Sequence, residues 1–233
     1  MDVNTKYGLK YYLSMESPNR KGFRIKIGDC VYIYRVSNSS SSTSNNNKNK
    51  KQKVESRSES EKDDFLQTLK SASLIARSNW NEPFNTRQGI IMRVEHMALV
   101  PSTGQKILYG HHYIWPSETY HEPNRKFYTN EVLKSPVSEW SAIEEVRGIC
   151  FVMDPRTFMK GKPVGFKAED LFICEYRVDR AAKSFSRTKI SQFPINTKSY
   201  AFHTYPEKLN IKRTYSVKLF FNFYKIFLVF FSS

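Results

Sequence analysis

Glycine is scarce in this sequence, nine scattered residues among 233. Neither GxGxxG nor GxxxxGK(S/T) occurs, so the loops that cradle nucleotide phosphates have no basis here. The scarcity also excludes a collagen-like repeat. GxSxG and HExxH are absent as well, which removes two common hydrolase signatures. Cysteine is scarcer still, with Cys30, Cys150 and Cys174 and no CxxC pair. Three thiols cannot all pair within one chain, so a reducing compartment such as cytosol or nucleus is expected. The first ten residues lack the apolar stretch of a secretory signal, and no secretion is expected. The longest apolar run, Leu219–Phe231, is too short for a helix across a bilayer, which needs about 20 residues.

Aromatics are abundant, with 17 Phe and 14 Tyr. At 39% hydrophobic residues the chain has enough apolar surface for one ordinary core, and wholesale disorder is excluded. The net charge of +15 is unevenly placed. Residues 89–175, the most hydrophobic stretch, hold 10 basic and 11 acidic side chains, whereas 176–218 hold 10 and 2. This pattern predicts a near-neutral module followed by a basic arm. Such an arm can touch DNA phosphates without reading bases, through Arg177, Arg180, Lys183, Arg187 and Lys189. A solvated linker is the plain alternative.

Phe23–Ile27 alternates apolar and basic residues as a half-buried strand does. Gly28-Asp29 reads as a tight turn into a second strand, Cys30–Tyr34. From Ser37 to Lys53 the chain is almost wholly Ser, Asn, Thr and Lys, with nothing to bury, and disorder is expected. Residues 37–87 therefore read as a long insertion in a β-domain, tolerable because loop-closure cost grows slowly with length. A weak helical pattern at 65–77, capped at Asp63 or Asp64, is either linker or a short partner-docking helix. Strands are expected at 90–94, 106–109, 113–115, 127–128, 132–133, 149–153 and 171–176, with a turn at Pro101–Gly104. Short strands divided by Pro and Gly turns indicate a mainly β barrel or sandwich. One short helix is well marked: Asp154 as cap, Pro155 at its first position, and Gly161 to close it in a left-handed conformation. The tail 207–233 reads as foreign to the domain, the product of a truncated or mis-spliced gene, or else as a core-completing strand.

No catalytic or metal set emerges. His111 and His112 are neighbours on a strand and face opposite ways, and no Cys lies near them in sequence. Glu144-Glu145 reads as a solvated edge, and the three cysteines as buried, inert thiols. What stands out is 109–132, YGHHYIWPSETYHEPNRKFYTNEV, dense in rings, polar groups and two prolines. Rings together with Arg are the usual anchors of recognition surfaces.

The run GHHYIWPSETYHEPNRKFYTNEV resembles the central signature of the bromo-adjacent homology (BAH) domain, and most of all its polybromo branch. Ile27–Ile33, Gly148–Met153 and Phe172–Arg177 resemble that domain's other strands. The resemblance implies a distorted β-barrel with one or two short helices, spanning 22–206 after a flank at 1–21. It further implies a non-catalytic, nuclear protein-interaction module of chromatin binding and SWI/SNF-type remodelling, needing no cofactor. Its expected partners are remodelling-complex subunits or nucleosomal and histone proteins. Tyr113, Trp115, Tyr120, Arg125 and Tyr128 are the expected contacts or shapers of the docking surface. Phe127, Ile114, Val31, Ile33, Val152 and Ile173 are the expected core. Some members read methylated lysine with a Trp-Tyr-Tyr cage. The matching positions here are His112, Tyr113 and Ile114, with Trp115 next, so one ring of three is kept in place.

Overall fold

Arg24 and Lys26 face water while Ile25 between them is completely buried, as the alternation requires. Gly28, at φ 90°, turns the chain, and the Asp29 carboxylate accepts from the Lys26 N–H at 2.8 Å. The computed structural model describes residues 8–34, 57–86, 89–179, 184–188 and 200–217.

The first strands are β1 (Lys10–Tyr11), β2 (Ser14–Glu16), β3 (Arg24–Lys26) and β4 (Cys30–Ile33), followed by helix α1 (Arg57–Ser78). Then come β5 (Ile90–Val100), β6 (Gln105–Ile114), β7 (Lys126–Phe127), β8 (Leu133–Ala142) and β9 (Val146–Met153). Helix α2 (Pro155–Lys160) leads into β10 (Gly161–Pro163), β11 (Leu171–Ile173), β12 (Tyr176–Asp179) and β13 (Ser184–Arg187). The last strands are β14 (Phe202–Thr204) and β15 (Tyr215–Ser216).

One sheet dominates, in the order β11-β9-β4-β5-β6-β8-β12-β13, with β1 added to β5. It curls because β11 returns to the segment that leads into β8. Val132 N–H donates to Ile173 O, and Ile173 N–H to Asn130 O, each at 2.9 Å. These bonds close a distorted barrel. Inside it Val31, Ile33, Met92, Met97, Leu108, Ile143 and Val146 are fully buried. A second cluster holds Cys30, Tyr32, Tyr113, Cys150, Val152, Phe172 and Cys174. All three cysteines are buried and outside any disulfide, and burial lifts Cys174 to about 12 and raises Cys150 well above its ordinary value. Five of the six expected core residues are buried, and Ile114 packs half-buried against Phe127 and Leu133.

The structure departs from the sequence reading in several places. The expected strands 90–94 and 106–109 are parts of an 11-residue and a 10-residue strand, joined at the expected Pro101–Gly104 turn. Strand β8 was not foreseen beyond its first residue, because Pro136 and three serines hide it. Within 37–87, residues 37–56 and 87 lie outside the described residues, but 57–78 form a single helix rather than a linker. Leu69, Ser73 and Ala76 recur at helical spacing and are buried. Leu69 meets Ala98, Val100, Ile107 and Trp140 on the outside of the sheet, so α1 docks on its own domain. Its end is pinned by Arg147, which donates to Trp80 O at 2.5 Å and lies over the Trp80 and Tyr34 rings.

Glu144 and Glu145 are buried instead of solvated. Glu144 accepts from Arg77 of α1 at 2.6 Å, and Glu145 from the Ala142 N–H at 2.8 Å. Helix α2 starts as expected, with Asp154 Oδ1 accepting from the Arg156 and Thr157 N–H groups at 2.9 and 3.1 Å. Gly161 does not close it in a left-handed conformation: at φ 169° it is extended and opens β10. Glycine is needed there for room, since a Cβ would lie 2.2 Å from His203 O.

The fold also takes in more chain than 22–206. Residues 10–16 supply β1 and β2, and Tyr215 of β15 pairs with Phe127 of β7. Residues 218–233, where the apolar tail falls, lie outside the described residues.

Candidate functional site

The 109–132 run begins as β6 inside the sheet. Gly110 sits at the bulge between Val94 and His96 of β5, where a Cβ would come within 1.9 Å of Arg93 O. No other residue fits so close an approach. His111 Nδ1 lies 2.8 Å from Glu95 and His112 Nε2 lies 2.9 Å from Glu139, so the two histidines serve separate carboxylates. Burial, opposed by the Glu95 bond, brings His111 down to about 4. Tyr113 is only 4% exposed and belongs to the core.

The chain leaves the sheet at Trp115. Its N–H donates to Glu118 Oε2 at 2.7 Å, and its half-buried ring meets Phe172 edge-on at 5.5 Å. A 3-10 turn over Pro116–Glu118 follows. Thr119 closes it, its hydroxyl donating to Pro116 O at 2.8 Å. His121 Nδ1 lies 3.1 Å from Thr119 O, and its ring stands edge-on to Phe127 at 4.9 Å. Tyr120, between these two buried anchors, is 70% exposed.

Arg125 and Tyr128 belong to a different arrangement. The Arg125 guanidinium lies 4.2 Å from the Phe185 ring centre, 5.0 Å from Tyr176 and 5.6 Å from Phe127. Tyr128 is covered by Arg213 at 4.4 Å, and Arg213 also bonds Glu175 and lies 3.8 Å from Glu131. Glu131 is buried and accepts from the Tyr128 N–H at 2.8 Å. Burial raises its pKa, with the Tyr128 bond and Arg213 pulling it back. Stacked cations and a shared carboxylate thus tie 125–131, β12–β13 and 213–215 into one knot. Sequence reasoning missed Arg213 and Glu175, since no local pattern links 128 to 213.

The expected residues therefore separate. Tyr120 is open, Trp115 is partly open, Arg125 and Tyr128 are half-buried scaffolding, and Tyr113 is core. Of the cage-matching positions, His112 and Tyr113 are closed off from solvent and Ile114 has no ring. In the basic arm, Arg177 and Arg187 are exposed, with Arg187 3.3 Å from Glu175, while Arg180, Lys183 and Lys189 lie outside the described residues.

Comparison with known proteins gives this arrangement its family. The chain is 46% identical over 127 residues to the histone-lysine N-methyltransferase ash1 of Drosophila melanogaster, covering 54% of this chain and 6% of that protein. It is 30% identical over 204 residues to the probable histone-lysine N-methyltransferase lin-59 of Caenorhabditis elegans, covering 85% and 15%. It is 35% identical over 77 residues to the chromatin structure-remodeling complex subunit rsc1 of Schizosaccharomyces pombe, covering 33% and 10%. The chain thus spans a small part of each of these relatives. Among solved structures, the yeast Rsc2 BAH domain superposes with a TM-score of 0.52 at 16% identity, covering 85% of this chain and 63% of that one. At that identity the likeness shows the fold alone. The BAH domain model matches residues 24–189, most of the chain, and the chain belongs to the BAH domain family.

Proposed function

We propose that this chain is a non-catalytic, chromatin-associated protein-interaction module that works in the nucleus and docks through the rim at 115–131. The observation that carries the reading is Tyr120, a ring 70% exposed on a loop whose flanking residues Thr119 and His121 are buried. A large ring held in place costs little entropy when a partner covers it. Trp115 flanks it, and Arg125 and Tyr128 hold the loop's far side. Relatives named as histone methyltransferases and remodelling-complex subunits support chromatin as the setting. Binding rather than methyl transfer is the reading for this stretch, because the family model it matches is that of a BAH domain. The polybromo-like run supports a remodelling-complex subunit or a nucleosomal protein as the partner.

The test is a titration of reconstituted nucleosomes and of free DNA of the same sequence against wild type, Trp115→Ala and Tyr120→Ala. Wild type is expected to prefer nucleosomes, and Tyr120→Ala to weaken that binding about tenfold, the usual cost of a central aromatic anchor. Equal nucleosome affinity for Tyr120→Ala removes the reading.

A second reading, direct DNA or nucleosome contact through 176–218, draws support from the arm's 10 basic and 2 acidic residues. It requires affinity to fall steeply with added salt. A flat salt response counts against it.

A further inference from the structure

Strands β6, β8, β12 and β13 lie side by side and share a polar cleft of about 390 Å³ that uses none of the rim residues. Lys134 of β8 and Arg177 of β12 are direct register partners, and both side chains line the cleft. Like charges placed opposite each other in a sheet are destabilising. Among the described residues, neither Lys134 nor Arg177 has a carboxylate within ion-pair distance. The carboxylate beside them, Glu95, is already held by His111 at 2.8 Å. Burial, with Arg93 and Arg177 close by, lowers the Lys134 amine against the pull of Glu95. The wall carries hydroxyls from Ser138 and Ser186, register partners of His111 and Arg177. His111 Nε2 is buried on the same wall and has no hydrogen-bond partner among the described residues. The empty cleft thus holds two like charges without ion-pair partners and an unpartnered buried ring nitrogen, an arrangement that costs stability.

We infer that the Lys134–Arg177 cleft is a binding site for a phosphorylated serine or threonine side chain of a partner protein. A phosphoryl group brings a charge of about −1.5 to −2 and three acceptor oxygens. These match two cations and two hydroxyl donors, and they neutralise the repulsion between Lys134 and Arg177. The cleft also carries Glu95 and Asp179 on its walls. Those carboxylates repel any phosphate, and a continuous phosphodiester run offers them nothing to pair with, whereas Lys or Arg beside a single phosphoryl group does. The occupant is therefore a single phosphorylated residue flanked by Lys or Arg.

The probe is a short peptide with one phosphoserine between lysines. Controls are its unphosphorylated form, inorganic phosphate and a 15-base-pair DNA duplex. Each is titrated into wild type, Lys134→Gln and Arg177→Gln, with melting temperatures recorded alongside. The phosphopeptide is expected to bind wild type at least about tenfold more tightly than its unphosphorylated form, the scale of one charge-assisted contact. Each variant is expected to lose about tenfold for the phosphopeptide while melting at the same or a higher temperature when empty, since repulsion is relieved. Inorganic phosphate is expected to raise the melting temperature of wild type more than that of either variant. Arg177 is exposed, so its variant keeps the test valid if Lys134→Gln fails to fold. Equal affinity for the two peptides overturns the inference, as does undiminished phosphopeptide binding by Arg177→Gln. Duplex DNA that binds through Lys134 and Arg177 while the phosphopeptide does not also overturns it.

Discussion

Tyr113 and Tyr120 come from one aromatic-rich run, yet Tyr113 is 4% exposed and Tyr120 is 70% exposed. Truncating them should separate packing from recognition. Tyr113→Ala is expected to cost about 3 kcal/mol in urea denaturation, the scale of a large buried side chain removed. Tyr120→Ala is expected to stay within about 0.5 kcal/mol, as surface changes do. The sequence marks the run as unusual but does not say which ring faces inward, because the bulge between His111 and Tyr113 resets the alternation that a strand pattern relies on. His111 gives a second prediction. Its ring is held down to about 4, so between the ordinary value of 6.5 and about 4 the unfolded chain binds the extra proton and stability falls as pH drops. Asp29 and Glu131, raised by burial, act the other way: they favour the fold when protonated and lose that contribution as pH rises above the ordinary carboxylate range. The difference between wild type and His111→Gln isolates the histidine. Wild type should lose up to about 1.4 kcal/mol per pH unit relative to the variant across that window. Parallel pH profiles would contradict the assignment. The three cysteines follow the same logic, and none should react with a thiol reagent until the protein is unfolded.

At the scale of elements, helix α1 and the stretch 207–217 show what local patterns miss. Leu69, Ser73 and Ala76 form the buried stripe of α1, but Leu74 and Ile75 are exposed and blur the periodicity. The expected cap at Asp63 or Asp64 is helix interior, since α1 starts at Arg57. Leu69→Ala is expected to destabilise the domain by about 2–3 kcal/mol, because α1 covers the outer face of β5 and β6. No loss of stability would mean that the helix does not dock there. The stretch 207–217 has no strand signature, and it is held by long-range contacts: Leu209 N–H to Met159 O at 3.0 Å, Tyr215 against Phe127, and Arg213 in the knot. A chain ending at residue 206 should lose at least about 2 kcal/mol relative to one ending at 217, since Glu131 and Glu175 lose a charged partner. Thermal melts of the two chains check this. The strands 24–26 and 30–33 and the α2 cap were legible because turn and cap residues act locally, although 24–26 pairs with β2 and 30–33 with β5 and β9 instead of with each other. β8 was not, because its pairing partners come from distant sequence.

At the scale of the whole molecule, one stretch carries both the barrel closure and the proposed docking rim. Asn130 and Val132 bond Ile173 and close the barrel, while Tyr120, twelve residues before Val132, stands outside it. The proposed docking face is thereby fastened to the closure of the fold. The near-neutral 89–175 stretch and the basic 176–218 arm carry their charges to different places, and the two readings of function predict different footprints. Amide hydrogen exchange on the nucleosome-bound chain measures that footprint directly. Protection on binding is expected across 115–131, centred on Tyr120, and should vanish in Tyr120→Ala. Protection confined to 176–218, with 115–131 exchanging as in the free protein, would contradict the account.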